Sequence, residues 1–426
     1  MIKEIVEIPP VFGEPIIFTY GGTGFVKGNY KYHYPETWVA GSGKAYSRPE
    51  AYQKCLSEII EHICAFELLI EDLPLTSWKD LKEKAVHPED LPSYSLSQFQ
   101  QSGFICEPFT EKTRVRWIKG SSLTEREDIW VPYQYVKIYR QRLEDEPLIF
   151  WGNSSGHAAG VTLEQALLAG IYEVIERDAF TLLWLNKLTM PKIDLEQPPD
   201  HPLAILFKEK FNKIHLIWKV VDMTTDLRIP AFLVTLRQKY GKGPPICVSS
   251  SAGLDSNRAL QHALLDAACL RNSLIRSPEK NKKEILHTPI KEAFQRVKTF
   301  EDHVALTFRE DFQPYVSFLD SSSMIRDLNS LINTSTGNLA QDLEQVVSIL
   351  KNKGYQVIYV DITNEEADQQ GLKVAKVIIP GLQPLHSGYL METLKNKRLY
   401  DYLYKMGLSP KPTAEKDLFR VPHPFS

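Results

Sequence analysis

Apolar positions in this 426-residue chain fall into two periods, and the change from one to the other separates strands from helices. Five short segments, 213–221, 231–236, 246–250, 355–362 and 374–379, are dense in β-branched and aromatic residues. Gly, Pro or Asp bounds each of them, and all five read as buried strands. Helical stretches separate some of these strands, which predicts a mixed α/β or α+β domain. Residues 76–145 are rich in Pro, Ser and charge without a sustained period, and read as a loop-rich excursion. A helical pattern over 396–406 precedes a tail, 411–426, that contains Pro412, Pro422 and Pro424. Proline removes donors and fixes φ, so this tail is expected to be extended and polyproline-like.

The polar positions carry an internal repeat of three copies. Each copy has a small-residue loop, a cap residue, and a helix with an acid eleven residues past the cap. The first loop is Gly41–Ser47, with Glu58 eleven residues past Ser47. The second ends at Thr162, followed by Glu173, and the third ends at Asp255, followed by Asp266. Ser47 with Glu50 and Thr162 with Gln165 have capping-box spacing, whereas Asp255 can cap its helix alone. The first two copies carry a second acid three residues on, Glu61 and Glu176, which puts each pair on one helix face. In the third copy that position is Cys269. Ile59, Ile60, Val174 and Ile175 fill the gaps between the acids, and helices so apolar all round are mostly buried. Buried carboxylates that repel one another need cations. Oxygens from several helices suit Mg²⁺ with a polyphosphate, and the three loops could offer N–H groups to anions.

Other chemistries find less support. The formal charge of −3 is at odds with a basic nucleic-acid footprint. No apolar run approaches the roughly 20 residues of a membrane span, and the acidic N-terminus does not read as a signal peptide. A cytoplasmic protein is expected. The five cysteines form no C-x-x-C pair, and the histidines have no ligand spacing. Gly43-Lys44 is followed by Ala45 and preceded by Trp38 where a P-loop has Gly, and no protein-kinase signature is present.

At this point the residues become recognisable. Asn153 to Ala179, reading NSSGHAAGVTLEQALLAGIYEVIERDA, resembles the central signature of the YcaO family. Ser42–Glu61 and Arg258–Arg271 resemble its first and third motifs, and 361–363 and 378–385 match later ones. The resemblance implies an α+β YcaO fold over 31–426, with mixed or antiparallel sheets and capped helices around a non-P-loop ATP site, and an N-terminal extension over 1–30. It implies that Glu58, Glu61, Glu173 and Glu176 hold Mg²⁺ and ATP, with Arg177 near the phosphates. Lys44, Lys54 and Asp266 are expected to add to the nucleotide site, Lys54 by replacing metal charge on a phosphate. The chain departs from the family pattern at Lys54, His62, Gln165 and Cys269.

The ending Val421-Pro-His-Pro-Phe-Ser426 is similar to the Pro-x-Pro-x-Pro tail of the family's cyclodehydratases, apart from the last Pro. It implies ATP-dependent formation of thiazolines or oxazolines from Cys, Ser or Thr of a ribosomally made precursor peptide. Expected partners are a leader-peptide-binding protein and a flavin-dependent azoline dehydrogenase, and a homodimer is compatible. His423 and the Ser426 carboxylate are candidates for the catalytic base. Two alternatives stay open: thioamide formation by the same activation, and a docking scaffold without turnover.

Overall fold

The computed structural model describes residues 2–28, 36–81, 83–138, 142–241, 243–276 and 283–425. Its strands form three sheets. The first joins β1 (Ile2–Ile8), β2 (Phe18–Val26) and β3 (Thr37–Ala45) in order, all antiparallel. The region expected to be an N-terminal extension therefore supplies two of this sheet's three strands. Buried Glu14 also fastens it to Arg271, at 2.8 Å.

β4 (Leu75–Ser77), β5 (Arg114–Ser122), β6 (Glu127–Pro132) and β7 (His157–Gly160) belong to a second sheet, of six strands. Here the structure differs from the loop-rich reading of 76–145. Ile129 and Val131 in β6 are buried on one face, while Val115, Arg116 and Trp117 in β5 are buried in succession. The charged residues within both strands hid them.

The third sheet runs β11–β10–β9–β8–β12, from β8 (Lys192–Ile193), β9 (Leu216–Asp222), β10 (Ala231–Gln238), β11 (Ile246–Ala252) and β12 (Ile325–Arg326). Central β10 lies between β9 and β11 and buries six residues in succession. β13 (Ile358–Asp361) and β14 (Lys373–Ile378) complete the second sheet, between β5 and β7. All five segments expected as strands are present, and pairing is antiparallel except between β12 and β8.

Each of three strands runs directly into one long helix: β3 into α1 (Arg48–Phe66), β7 into α2 (Leu163–Leu185) and β11 into α3 (Ser256–Arg276). These are the three repeat copies, and each helix packs on its own strand. Each also touches the next copy's strand: α1 meets β7, α2 meets β11, and α3 meets β3. The three units close a ring. This closure brings together acids that lie up to about two hundred residues apart.

The caps follow the sequence only in part. Thr162 Oγ1 accepts from Gln165 N, and Asp255 Oδ1 from Arg258 N. The expected box at Ser47 does not form, because its side chain makes no cap bond and Glu50 pairs with Lys54 instead. Gln165 bonds Val161 N rather than the cap's own N–H. The glycines have a steric role. A Cβ on Gly43 would lie 1.8 Å from Ala51 O, so β3 can cross α1 closely only with glycine there.

Candidate nucleotide site

The ring of units places five acids from three helices around one centre, and two kinds of contact repeat around it. In the first, found in two of the three units, the unit's own strand or the residue just before it holds the acid at cap+11. Ser42 N donates to Glu58 at 2.9 Å, and Gly156 N donates to Glu173 at 3.1 Å. Gly156 has φ +82°, and a Cβ there would meet Val377 O at 2.4 Å. In the second, the next unit's strand reaches across. The Ala159 backbone bonds Glu61, and Ser250 Oγ donates to Glu176 at 2.5 Å. Lys44 of β3 pairs with Asp266 of α3 at 3.2 Å. Beside it, Thr19 of β2 meets Cys269, where the third copy lacks its second acid. The small-residue loops thus spend two of their N–H groups on carboxylates, which corrects the expectation that these donors wait for phosphate.

Electrostatics match this crowding. Burial, and then the charges of Glu173 and Glu58, raise the Glu61 carboxyl well above the ordinary value. Burial also raises Glu176, with Glu173 and Asp266 adding to it, against the pull of Arg177 and Ser250. Burial opposes the charge on Lys44, yet Asp266, Cys269 and Glu58 hold it above the usual lysine value. Lys376, in β14, is brought down to about 8 by burial, opposed by Glu173 and Glu61. Arg177 stands between Glu173 at 3.4 Å and Glu176 at 3.3 Å. Its neighbour Asp178 is engaged by Arg398 at 2.8 Å, so Arg177 stays with the site.

Among the described residues, Glu58, Glu61, Glu173, Glu176 and Asp266 face Lys44, Arg177 and Lys376, an excess of acid that calls for added cations. No three His, Cys, Asp or Glu side chains among the described residues are grouped closely enough to hold a metal ion by themselves. That arrangement fits Mg²⁺, which takes one or two carboxylates and completes its shell with phosphate oxygens and water.

Lys54 makes its ion pair outside the carboxylate ring. It pairs with Glu50 at 2.9 Å on the α1 surface, near His262, which also feels Asp266 and Lys44. The tail, by contrast, docks against α2. Trp184 Nε1 donates to Val421 O at 2.8 Å, and the Phe425 ring lies 4.5 Å from the Arg177 guanidinium carbon. His423 is fully buried. Its Nδ1 accepts from Phe425 N, so Nε2 carries the proton and donates to His386 O at 2.8 Å. Both ring nitrogens are committed, which corrects its assignment as the base: His423 anchors the tail. Ser426 lies outside the described residues.

Sequence reasoning passed over Lys376, because 374–379 reads as one apolar strand. A lysine inside such a run was the available signal. It also passed over Ser42, Ser250 and the partners of His423, which topology alone brings near.

Residues 42–383 match the family described as YcaO cyclodehydratase, ATP- and Mg²⁺-binding. The chain belongs to the YcaO family. A heterocyclase in complex with substrate and cofactor is similar over 100% of this chain and 55% of its own, at 24% identity and TM-score 0.78. The heterocyclase TruD is 25% identical, with TM-score 0.65, over 89% of this chain and 51% of its own. A chain of the E. coli microcin synthetase McbBCD complex has TM-score 0.55 and 15% identity over 89% of this chain and 88% of its own. The chain spans about half the length of the two heterocyclase chains. No helix among the described residues is long and apolar enough to cross a membrane.

Proposed function

We propose that this YcaO chain is an ATP-dependent cyclodehydratase that turns Cys, Ser or Thr of a peptide into azolines. The observation that carries the reading is the closed ring of carboxylates, with Arg177 at its rim and the tail seated on Arg177. The likeness to heterocyclases and to a synthetase complex supports a peptide substrate and a partner protein that presents it. A leader-binding partner and a flavin-dependent dehydrogenase are part of the same proposal.

The substrate thiol or hydroxyl attacks the preceding carbonyl carbon, forming a C–S or C–O bond and releasing its proton. The former carbonyl oxygen takes the γ-phosphoryl of ATP, and ADP leaves. Loss of phosphate together with the amide N–H proton then forms the C=N bond. Overall the peptide loses one water while ATP becomes ADP and phosphate.

Glu58, Glu61, Glu173 and Glu176 would hold Mg²⁺, which when bound neutralises charge on the phosphates. Arg177 is placed to stabilise charge on the transferred group, where most catalysis of phosphoryl transfer originates. Lys44 holds Asp266 in register with the ring, and Lys376 offsets Glu61 and Glu173 from the opposite wall.

The test is purified protein with ATP, MgCl₂, the partner and a Cys-containing candidate peptide. Phosphate release matched by loss of one water per ring supports the reading. Phosphate release with sulfur gained from added sulfide would replace it by thioamidation, and no phosphate release would leave a docking scaffold.

A further inference from the structure

Phe12 lies in the loop between β1 and β2, and its side chain is fully exposed. The loop is built to hold it out. Pro9, Pro10 and Pro15 stiffen the chain, Gly13 turns it at φ +85°, and Glu14 N donates to Val11 O at 3.2 Å. Buried Glu14 is gripped by Arg271 of α3 at 2.8 Å and by His215 at 3.1 Å, while Arg276 donates to Pro10 O at 3.0 Å. Beyond them Ile17 is buried in one cluster with Phe211 and Trp218.

The same anchor gathers three more apolar side chains at the surface. Ile16 is 65% exposed, and Ile214, next to His215, is 81% exposed. Tyr240 is 50% exposed, with its ring centre 6.4 Å from that of His215. Four large apolar groups collected in solvent around one fixed loop mark a surface that another molecule covers.

Charge and shape narrow what that molecule is. Glu14 is the only acid in 9–17, 213–217, 238–241 and 271–276. Burial opposes its charge, yet Arg271 and His215 hold its carboxyl below the usual value, so this acid is already neutralised. Lys213 and Lys239 have no ion-pair partner among the described residues, although the whole chain carries −3. A second copy docked here about a two-fold axis would set these lysines against their own images. A protruding ring needs a pocket to enter, which a folded protein offers and an extended peptide does not.

Resting on the cyclodehydratase reading, we propose that the Phe12 surface docks the protein that presents the peptide, through an apolar pocket rimmed by Asp and Glu. Arg271, which fixes the loop, follows Asp266 by five residues, about 7.5 Å along α3. A partner seated here lies beside the third unit of the carboxylate ring, close enough to pass its peptide to the site.

Calorimetric titration of the full chain with the leader-binding partner, without ATP or peptide, reads docking alone. Phe12→Asp should weaken binding about thirtyfold or more. Wild-type affinity should fall as NaCl is raised, and Lys213→Met with Lys239→Met should flatten that dependence. Mg²⁺–ATP should raise the melting temperature of Phe12→Asp as it does that of wild type, and excess partner should restore its ring formation. Wild-type affinity in Phe12→Asp overturns the surface, as does a loss of turnover that no excess of partner restores. A wild-type dimer in sedimentation of the chain alone, lost in Phe12→Asp, assigns the face to a second copy and overturns the partner. Wild type that docks through Phe12 yet forms no ring keeps the surface and removes the cyclodehydratase reading.

Discussion

The Arg177 guanidinium lies over the ring of Phe425, 4.5 Å from its centre, and so joins the tail to the helix that carries Glu173 and Glu176. Two hundred and forty-eight residues separate the partners. The contact is more than incidental covering. Phe425 also packs on Phe180 with ring centres 4.8 Å apart, and His423 stacks on His303 at 3.9 Å. A charged group paired with Glu173 and Glu176 is thereby held by an aromatic plate that a folded tail positions.

Replacing Phe425 separates packing from chemistry. Phe425→Leu keeps an apolar side chain but removes the quadrupole under Arg177, a loss of about 0.5–2 kcal/mol where the cation is desolvated. Peptide-dependent phosphate release should fall several-fold, with a small change in melting temperature. Phe425→Ala should in addition lower stability by about 3–5 kcal/mol. Calorimetry and a phosphate assay on both variants check this, and equal activity in all three proteins would dismiss a role for the tail at the site.

Glu173→Gln and Glu176→Gln should remove ATP turnover. Losing one partner of a buried charge typically costs about 3 kcal/mol or more, on the order of a hundredfold in rate. Each variant relieves repulsion among buried acids but takes one ionic partner from Arg177, so without Mg²⁺ the change in stability should be small compared with the loss of turnover. Stabilisation by Mg²⁺–ATP, about 2.7 kcal/mol at a hundred times Kd for wild type, should shrink or vanish. Differential scanning with and without EDTA measures this. Near-normal ATP consumption by both variants would refute the nucleotide site.

The repeat was legible because it is written locally. Cap, apolar face and acid spacing recur at Glu58, Glu173 and Asp266 within about fifteen residues of one another in each copy. What joins the copies is not local. Lys44 reaches Asp266, and Ser250 reaches Glu176, because sheets cover the helices in a cyclic order. No spacing in one sequence encodes that order. Lys54 shows the opposite case. Its charge and position suit a phosphate, and in the structure it pairs with Glu50, one turn earlier, a contact the i,i+4 spacing itself offered. The β5 and β6 strands were missed for a third reason: Arg114, Arg116, Lys119, Glu127 and Asp128 fall on both of their faces and break the alternation.

Arg398 gives a test of how α2 is held. Its guanidinium bonds Asp178, which is wholly buried, at 2.8 Å, and Asp226 at 2.7 Å. Burial raises the Asp178 carboxyl against the pull of Arg398. Arg398→Met leaves Asp178 without its ionic partner, at a cost of about 3–5 kcal/mol. Arg398→Met with Asp178→Asn should recover much of that loss, because the remaining group is neutral. Urea titrations of wild type and both variants check this. A double variant no more stable than the single one would mean that packing, rather than the unpaired charge, sets the cost.

The tail's anchor should also make stability depend on pH. His303, His386 and His423 cluster with ring centres 3.9–6.1 Å apart. Burial lowers all three, His303 to about 4 and the other two well below the usual histidine value. Neighbouring imidazoles add to the lowering at His386 and His423, with Arg420 and Arg177 in turn contributing, while Asp302 opposes it at His303. In the folded chain these rings are neutral, whereas unfolded they titrate near 6.5. Between about 4 and 6.5 the unfolded chain binds protons that the folded one does not, so stability falls as pH drops through that window and is fully present above it. For His303 alone the full shift corresponds to ~3 kcal/mol. The melting temperature should therefore fall between pH 7.5 and 5, with proteolysis at the tail appearing first. His386 Nδ1 has no hydrogen-bond partner, so His386→Phe removes a titrating ring without breaking a bond at that atom. Its stability should fall less steeply with acid than that of wild type. A His386→Phe slope equal to that of wild type would show that His386 stays unprotonated in the unfolded chain or charged in the folded one. A wild-type melting temperature flat from pH 7.5 to 5 would mean that the cluster is not neutral in the folded protein.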